Sequence, residues 1–589
     1  MLPWSSGSGR KLQHITKEFF IMKSKFSRPI RITALVLVFV LLIGLFVGFR
    51  RKSAASSETV SSQETAAAQE TAASQAASAE ASQEASDPAS VSETSVPGSV
   101  TYPLTEEPTS LSFTATIMPN VASYLSDFND DPFFTYLEEQ TGVHIDWKVI
   151  SGSAKAEQYQ LIFASEDYTD LIYEMLSVYT GGASAAIDDG VILDVEPLLQ
   201  DYAPDYYALI TDPENQDILK EITLDDGGIA GVWGFSDINA VLSGTTIRKD
   251  WLDDLGEDVP VTYDDWTRIL TEFKTEEGAD SPLFLMGNST TGNGGIDEFS
   301  DGFGVQADWY VEDGQVHYGL VENSYRDYLS LLHQWYTDGL ISTDFTTYAD
   351  ASEINALFSS GAVGLGRAGA NDYLNITAAA EDDSFQLQGI AKPVAEEGDT
   401  LHFADTRLVN KATSVTTSCE DPELALEWLN YIYTEDGIIT SNYGVEDLSF
   451  VYDENGDPQY TDLIKANEEG LTEQQARWIY CGTVLPLYSI EERNFDSYSE
   501  EALEAITGTW LTSGDSDYVY HGELTAEESE EFSAVYSDIE TYVEETILQF
   551  VTGEKSLDEY DEVRETLDSM GLESCLELKQ AAYDRYVNR

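Results

Sequence analysis

The chain has 589 residues, 42% of them hydrophobic, and sets 30 Lys and Arg against 107 Asp and Glu for a formal net charge of −77. So acidic a surface repels a phosphate backbone and excludes nucleic acid as a partner, while the apolar content suffices for several domain-sized cores. Charge names no ligand by itself, because attraction is screened beyond about 8 Å at physiological salt.

In chain order the first element is residues 32–49, ITALVLVFVLLIGLFVGF, an uncharged run close to the shortest length, about 17 residues, that spans a bilayer. Lys23, Lys25, Arg28 and Arg31 precede it like the positive region of an export signal,. Arg50, Arg51 and Lys52 follow at once and oppose cleavage, and no cysteine stands near for lipid modification. Residues 1–52 are therefore expected to be a cytoplasmic tail and signal anchor, with Met22 as an alternative start. They would hold the body at the extracellular face of the cell membrane. Residues 53–101 are Ser, Ala, Glu, Gln and Thr with few large apolar side chains. Such a composition cannot offset the entropy of ordering, so a disordered linker is expected.

From Tyr102 onward strand-like and helix-like pieces alternate, the pattern of an α/β protein, and the first units imply a largely parallel sheet. Residues 111–118 (LSFTATIM) read as a strand, 133–142 (FFTYLEEQTG) as a helix stopped by glycine, and 143–150 (VHIDWKVI) as the next strand. EQYQLIFASED then reads as a helix and TDLIYEM as a strand before the loop VYTGGAS. Later, Asp421 is the expected N-cap of a helix with Pro422 in its first turn and Trp428 on its buried face. Ser556 and Glu559 predict a capping box, Gly571 a helix stop, and CLELKQAAYDRY a last helix. Cys419, Cys481 and Cys575 are far apart and lie in no CxxC or His-rich spacing. Buried free thiols are expected, with no metal site.

In this order the blocks resemble the extracellular solute-binding proteins of family 1, the maltose-binding-like type, over about residues 102–589. FFTYLEEQTGVHIDWKVI is similar to that family's opening helix and strand. TTIRKDWLDDLGEDVPVTYDDWTRIL resembles its crossing strand and Trp-bearing helix, and EINALFSSGAVGLGRAGANDYLN a block that leads an aromatic into the cleft. The resemblance implies a type II periplasmic-binding-protein-like fold, two α/β lobes joined by a hinge with the ligand between them. Lobe I would hold 102–244 plus 406–470, and lobe II 245–405 plus 471–589, with crossings near 245–248 and 402–406. It further implies an ABC importer, with permease subunits as partners, no cofactor, no enzymatic activity, and a monomer capturing a small ligand. The chain departs from the family in two places: KTEEGADSPLFL stands where many relatives carry a calcium loop, and the lipobox is replaced by the anchor. DENGDP (453–458) has acids but a misplaced glycine for an EF-hand, so a hairpin turn is expected there.

Sugar pockets need flat aromatic faces and polar side chains, and the chain supplies 33 Tyr, 24 Phe and 10 Trp. On the resemblance, strand ends facing the cleft nominate Asn120, Tyr179, Trp233, Trp309, Tyr310, Arg367 and Tyr373 as ligand-binding residues. Each aromatic also fits a packing role, the reading adopted for Trp251, Trp266 and Trp428, which fall in helical periodicity. An oligosaccharide is the expected ligand and a peptide the alternative. Gly364, Gly366 and Gly369 match GxGxxG, but the polar stretch after them is not the helix a dinucleotide site requires. Asp297 and Glu298 are the carboxylate pair to weigh for a carbohydrate-active enzyme. A surface receptor without a transporter is the third alternative.

Overall fold

Alternation sets the first strand: Leu111, Phe113, Ala115 and Ile117 point to one side of β1 (Thr109–Ile117) and are buried. Thr114 and Thr116 on the other side are buried too, Thr114 bonded to Thr169 and Thr116 to Glu174. Here the computed structural model describes residues 98–237, 241–287, 294–348, 353–404 and 409–589. The expected anchor and all but residues 98–101 of the expected linker lie outside these. Among the described residues no helix is long and apolar enough to cross a membrane.

After β1 comes α1 (Pro132–Thr141), whose N-cap Asp131 accepts from the Phe133 amide and whose stop is Gly142 at φ 76°, a left-handed conformation that suits glycine,. Next follow β2 (Val143–Ser151), α2 (Lys155–Ser165), β3 (Leu171–Tyr173), α3 (Gln216–Ile222) and β4 (Val232–Ser236). The chain then crosses to β5 (Ser243–Arg248), α4 (Tyr263–Thr275), the hairpin β6 (Trp309–Glu312) and β7 (Gln315–Tyr318), and α5 (Asn323–Thr337). Strands β8 (Leu365–Gly369) and β9 (Leu387–Gly389) complete that stretch. A second crossing returns it to β10 (Val409–Val415), α6 (Pro422–Asn430), the hairpin β11 (Phe450–Tyr452) and β12 (Pro458–Tyr460), α7 (Glu473–Tyr480) and β13 (Tyr488–Ser489). A third crossing leads to α8 (Ala526–Thr552), α9 (Tyr560–Met570) and α10 (Leu572–Val587).

Among the described residues two larger sheets form besides the two hairpins, each with its own core. The first has the order β13-β4-β10-β3-β1-β2. β1 runs parallel to β2 and β3, β13 parallel to β4, and only the returning β10 is antiparallel. Trp147 of β2 stacks on Phe113 with centroids 4.9 Å apart, and Phe128 and Phe134 meet its edge. Trp428 of α6 packs edge-on to Phe113 from the next layer. The second sheet is β8-β5-β9. It is antiparallel throughout. Its core is carried by α4 and α5, where Trp266 and Trp335 stack 6.5 Å apart, and by α8 to α10.

Several local expectations hold. Asp421 accepts from the Leu424 amide as N-cap of α6, and Ser556 and Glu559 form their capping box, opening a short 3₁₀ turn before α9. DENGDP is the turn of the β11–β12 hairpin, closed by Asp453 accepting from the Asn455 and Asp457 amides. All three cysteines are buried free thiols. Burial pushes Cys419 up to about 11 and Cys481 up to about 12, so neither is a reactive thiolate,. One boundary moves. Residues 471–490, expected in lobe II, belong to lobe I: α7 buries Ala476 and Ile479 in the first core, and β13 extends the first sheet. Lobe II resumes only after the third crossing.

Candidate functional site: a pocket where the crossings converge

A small pocket of about 40 Å³ lies where chain segments pass between the lobes, lined among others by Ser243, Thr245, Arg367, Lys392, Trp510 and Ser513. Glycine explains how Trp510 reaches it. A Cβ on Gly244 would stand 2.6 Å from the Trp510 ring, and one on Gly389 2.3 Å from the Ala505 Cβ. Bare backbone at these two positions of β5 and β9 lets the 505–512 segment lie flat on the sheet. The indole Nε1 then donates to the Thr245 carbonyl at 3.1 Å. The Thr245 hydroxyl itself is buried with no hydrogen-bond partner. A buried orphan hydroxyl is costly unless a ligand satisfies it.

Arg367 is held on three sides. Nε and Nη2 donate to the Ser243 hydroxyl at 3.2 and 3.0 Å, and Nη1 to Glu298 Oε1 at 3.1 Å. Burial pushes the Glu298 carboxyl up, but Arg367, Lys392 and the Gly294 amide outweigh it and hold the group below its usual range. Asp301, on the pocket wall, accepts from the His402 and Phe403 amides at 2.8 and 3.3 Å and is raised by burial. Asp297 points away into the core, bonded by the Tyr325 hydroxyl at 2.6 Å and the Ala307 amide at 2.5 Å. The two carboxylates weighed for hydrolysis are thus both engaged structurally.

The crossings leave the first sheet at one end, after β4 and before β10. There Glu174, buried and at φ 60°, accepts from Thr116 Oγ1 at 3.1 Å. Lys155 Nζ lies 3.5 Å from it and Lys411 pairs with it as well. A non-glycine residue in the left-handed region stores strain of a kind concentrated at functional sites. At the same end Ser236 donates to Glu491 at 3.0 Å, and Asn494 Nδ2 to the other Glu491 oxygen at 2.9 Å.

Of the seven nominated residues, Arg367 lines the pocket and six do not. Tyr373 is only 1% exposed; its hydroxyl pairs with Thr246 at 2.8 Å and its ring meets Trp510 edge-on, so it supports the pocket from behind. Trp309 and Tyr310 are buried in lobe II, Trp309 among Tyr318, Phe532 and Tyr536, and Tyr310 beside His317 and Phe403. Consecutive in β6, the two rings leave opposite faces of the strand, and both are covered within the lobe II core,. Trp233 is half-buried against the first core, with its amide donating to the Tyr206 hydroxyl. Tyr179 bonds Asp189 at 2.8 Å and packs on Phe163. Asn120 is exposed after β1, its carbonyl accepting from Gln475. Missed were Ser243, Thr245, Lys392, Trp510 and Ser513. Two of the GxGxxG glycines are packing positions at the start of β8: a Cβ on Gly364 would lie 2.5 Å from Phe273 and one on Gly366 2.5 Å from Ile354.

Two α/β lobes with a polar pocket at their crossings define a solute-binding protein. Residues 116–439 match the model of the bacterial extracellular solute-binding protein family, and the chain belongs to that family. It is 25% identical over 527 residues, 83% of this chain and 92% of the relative, to the fructooligosaccharide ABC transporter substrate-binding protein FusA of Streptococcus pneumoniae serotype 4. Among solved structures it resembles an HMO-binding, ABC-transporter-associated solute-binding protein of Bifidobacterium longum infantis, at TM-score 0.67 and 19% identity over 82% of this chain and 99% of the other. It also resembles the alginate-binding protein AlgQ2, at TM-score 0.64 and 21% identity over 82% and 99%.

Proposed function

We propose that this chain is the capture component of an ABC importer, binding an oligosaccharide between its lobes at the extracellular face of the membrane. The observation that carries the reading is the pocket at the crossings, where an unpartnered Thr245 hydroxyl sits between the fixed Arg367–Ser243 pair and Trp510. Sugar hydroxyls supply both donors and acceptors for such groups, and C–H faces suit an aromatic wall. The family and the oligosaccharide-binding relatives support the same assignment. Residues 32–49 serve as its anchor and the permease subunits as its partners. Turnover of the ligand is not part of the reading, since Asp297 and Glu298 are held by Tyr325 and Arg367.

A thermal-shift screen of the purified chain against neutral and acidic oligosaccharides beside a peptide library tests this. A ligand at 100 times its dissociation constant stabilises by about 2.7 kcal/mol, a readily measured shift. Shifts confined to peptides would overturn the sugar assignment, and release of shortened sugar would overturn the assignment as a non-enzyme.

A further inference from the structure

The end of the first sheet from which the crossings depart is unusual in charge for so acidic a chain. Two ammonium groups, Lys155 and Lys411, converge on the single buried carboxylate of Glu174. The two lysines come from different places: Lys155 opens α2, and Lys411 stands in β10. Both crossings tie this end to the pocket. Ala404, on the pocket wall, precedes Lys411 by seven residues, and Ser243, also on the wall, follows Ser236 at the end of β4 by seven. Seven residues span at most about 25 Å, so the Lys411 backbone lies within that distance of the pocket wall.

We infer that the cleft selects a carboxylate-bearing oligosaccharide, with Lys411 and Lys155 seating the acidic sugar and the Arg367–Trp510 pocket holding its neutral face. The argument is a charge balance. In the lobe II wall Arg367 is matched by Glu298 and Lys392 faces Asp297, Glu298 and Asp301, leaving no cation in excess. At the lobe I edge, among the described residues, two cations share the one carboxylate of Glu174. Burial and the neighbouring Lys155 both push the Lys411 ammonium below its usual range, as expected for like charges held together. An anion placed there relieves that repulsion. The α2 N-terminus adds to it, since Ala154 at its N-cap offers no side-chain acceptor to the first amides,. A neutral sugar would leave the second ammonium without a counter-charge once the lobes close and water leaves. This inference rests on the oligosaccharide reading and narrows it.

The test is calorimetric titration of the full chain with oligogalacturonides, their methyl esters, sialylated oligosaccharides and neutral fructooligosaccharides. The methyl ester keeps the sugar and removes the charge. The expected result is binding of an acidic oligosaccharide at least about tenfold tighter than its uncharged counterpart, the scale of one charge-assisted hydrogen bond. That preference should collapse in Lys411→Met and Lys155→Met and fall as salt is raised. The galacturonide and sialyl arms tell which acidic sugar is seated. Lys249→Met, whose ammonium pairs with Asp253 on the surface, should keep the preference. Equal or tighter binding of the neutral sugars, or a preference that survives both lysine substitutions, overturns the inference while leaving the oligosaccharide reading in place. Binding of peptides alone, with no glycan bound, overturns both.

Discussion

Arg589 reaches across from lobe II and donates to Asp225 of lobe I at 2.5 Å. Arg585 of α10 pairs with the same carboxylate and, through Nη2, with Glu528 at 2.5 Å. Beside them His521 lies 3.2 Å from Glu221 at the end of α3, and Lys220 sits 4.3 Å over the Tyr586 ring. The lobes are therefore fastened by side chains as well as by the crossings.

Such a fastening biases the equilibrium between open and closed forms, and ligand affinity depends on the closed fraction. Asp225→Ala should weaken ligand binding by about 1 kcal/mol, within the usual range of such couplings, without touching the pocket. Small-angle scattering should show an expanded unliganded form. Unchanged affinity with unchanged dimensions would mean that the fastening is passive.

Glu221 makes that fastening pH-sensitive. His521 holds its carboxyl below the usual range against the opposing effect of burial. A depressed folded pKa contributes stability that is present above the ordinary glutamate value, about 4.3, and is lost as pH falls through the lower folded value. Glu221→Gln should therefore flatten the acid limb of the stability curve below that value. Parallel curves for the variant and the parent in chemical unfolding would contradict it.

Two tryptophans separate site from core. Trp428 is 1% exposed and its Nε1 has no partner, so Trp428→Ala removes packing alone and should cost about 3–5 kcal/mol of stability with ligand affinity intact. Trp510→Ala should weaken binding by about 1–3 kcal/mol, as for a stacked aromatic hot spot, besides lowering stability. Normal affinity in the Trp510 variant would move the ligand elsewhere in the cleft.

Removing Arg367 should damage the fold through its partner. Arg367→Ala leaves Glu298, 4% exposed, as a buried carboxylate without its guanidinium, a change that costs about 3–5 kcal/mol. Adding Glu298→Gln to that variant removes the orphan charge and should recover much of the loss in urea unfolding. A double variant no more stable than Arg367→Ala would show that the damage lies in packing.

Local physics made much of the fold legible. Asp421 caps α6 and Gly142 stops α1 through bonds within a few residues, so their sequence signatures suffice,. The pocket is a different matter. Trp510 meets Thr245 from 265 positions away, and nothing local in GTWLTSG marks that indole as a wall of the site. Gly244 carried the only trace, a small residue in a β-rich run, and its meaning depends on the ring above it. For Trp309 and Tyr310 the signal was present and misread. Asp313 and Gly314, both at positive φ, are a hairpin turn, and the two rings of that hairpin are covered within the lobe II core rather than facing the cleft.

Asp297 yields the last prediction, because burial pushes its carboxyl up to about 7 despite the Tyr325 and Ala307 bonds that lower it. An acid whose folded pKa is raised binds its proton more tightly folded than unfolded. Stability from this group is then fully present below the ordinary Asp value, about 3.9, and is lost as pH rises toward the folded value. The window runs from about 4 to about 7, and the effect is of order a few kcal/mol. Asp297→Asn keeps an acceptor for the Tyr325 hydroxyl but carries no proton to lose. Its unfolding free energy should fall less steeply between these limits than that of the parent chain, the difference between the two slopes isolating Asp297 from Asp301 and Asp308, which burial also raises. Identical slopes would mean that the Asp297 carboxylate is charged throughout the window in the folded protein.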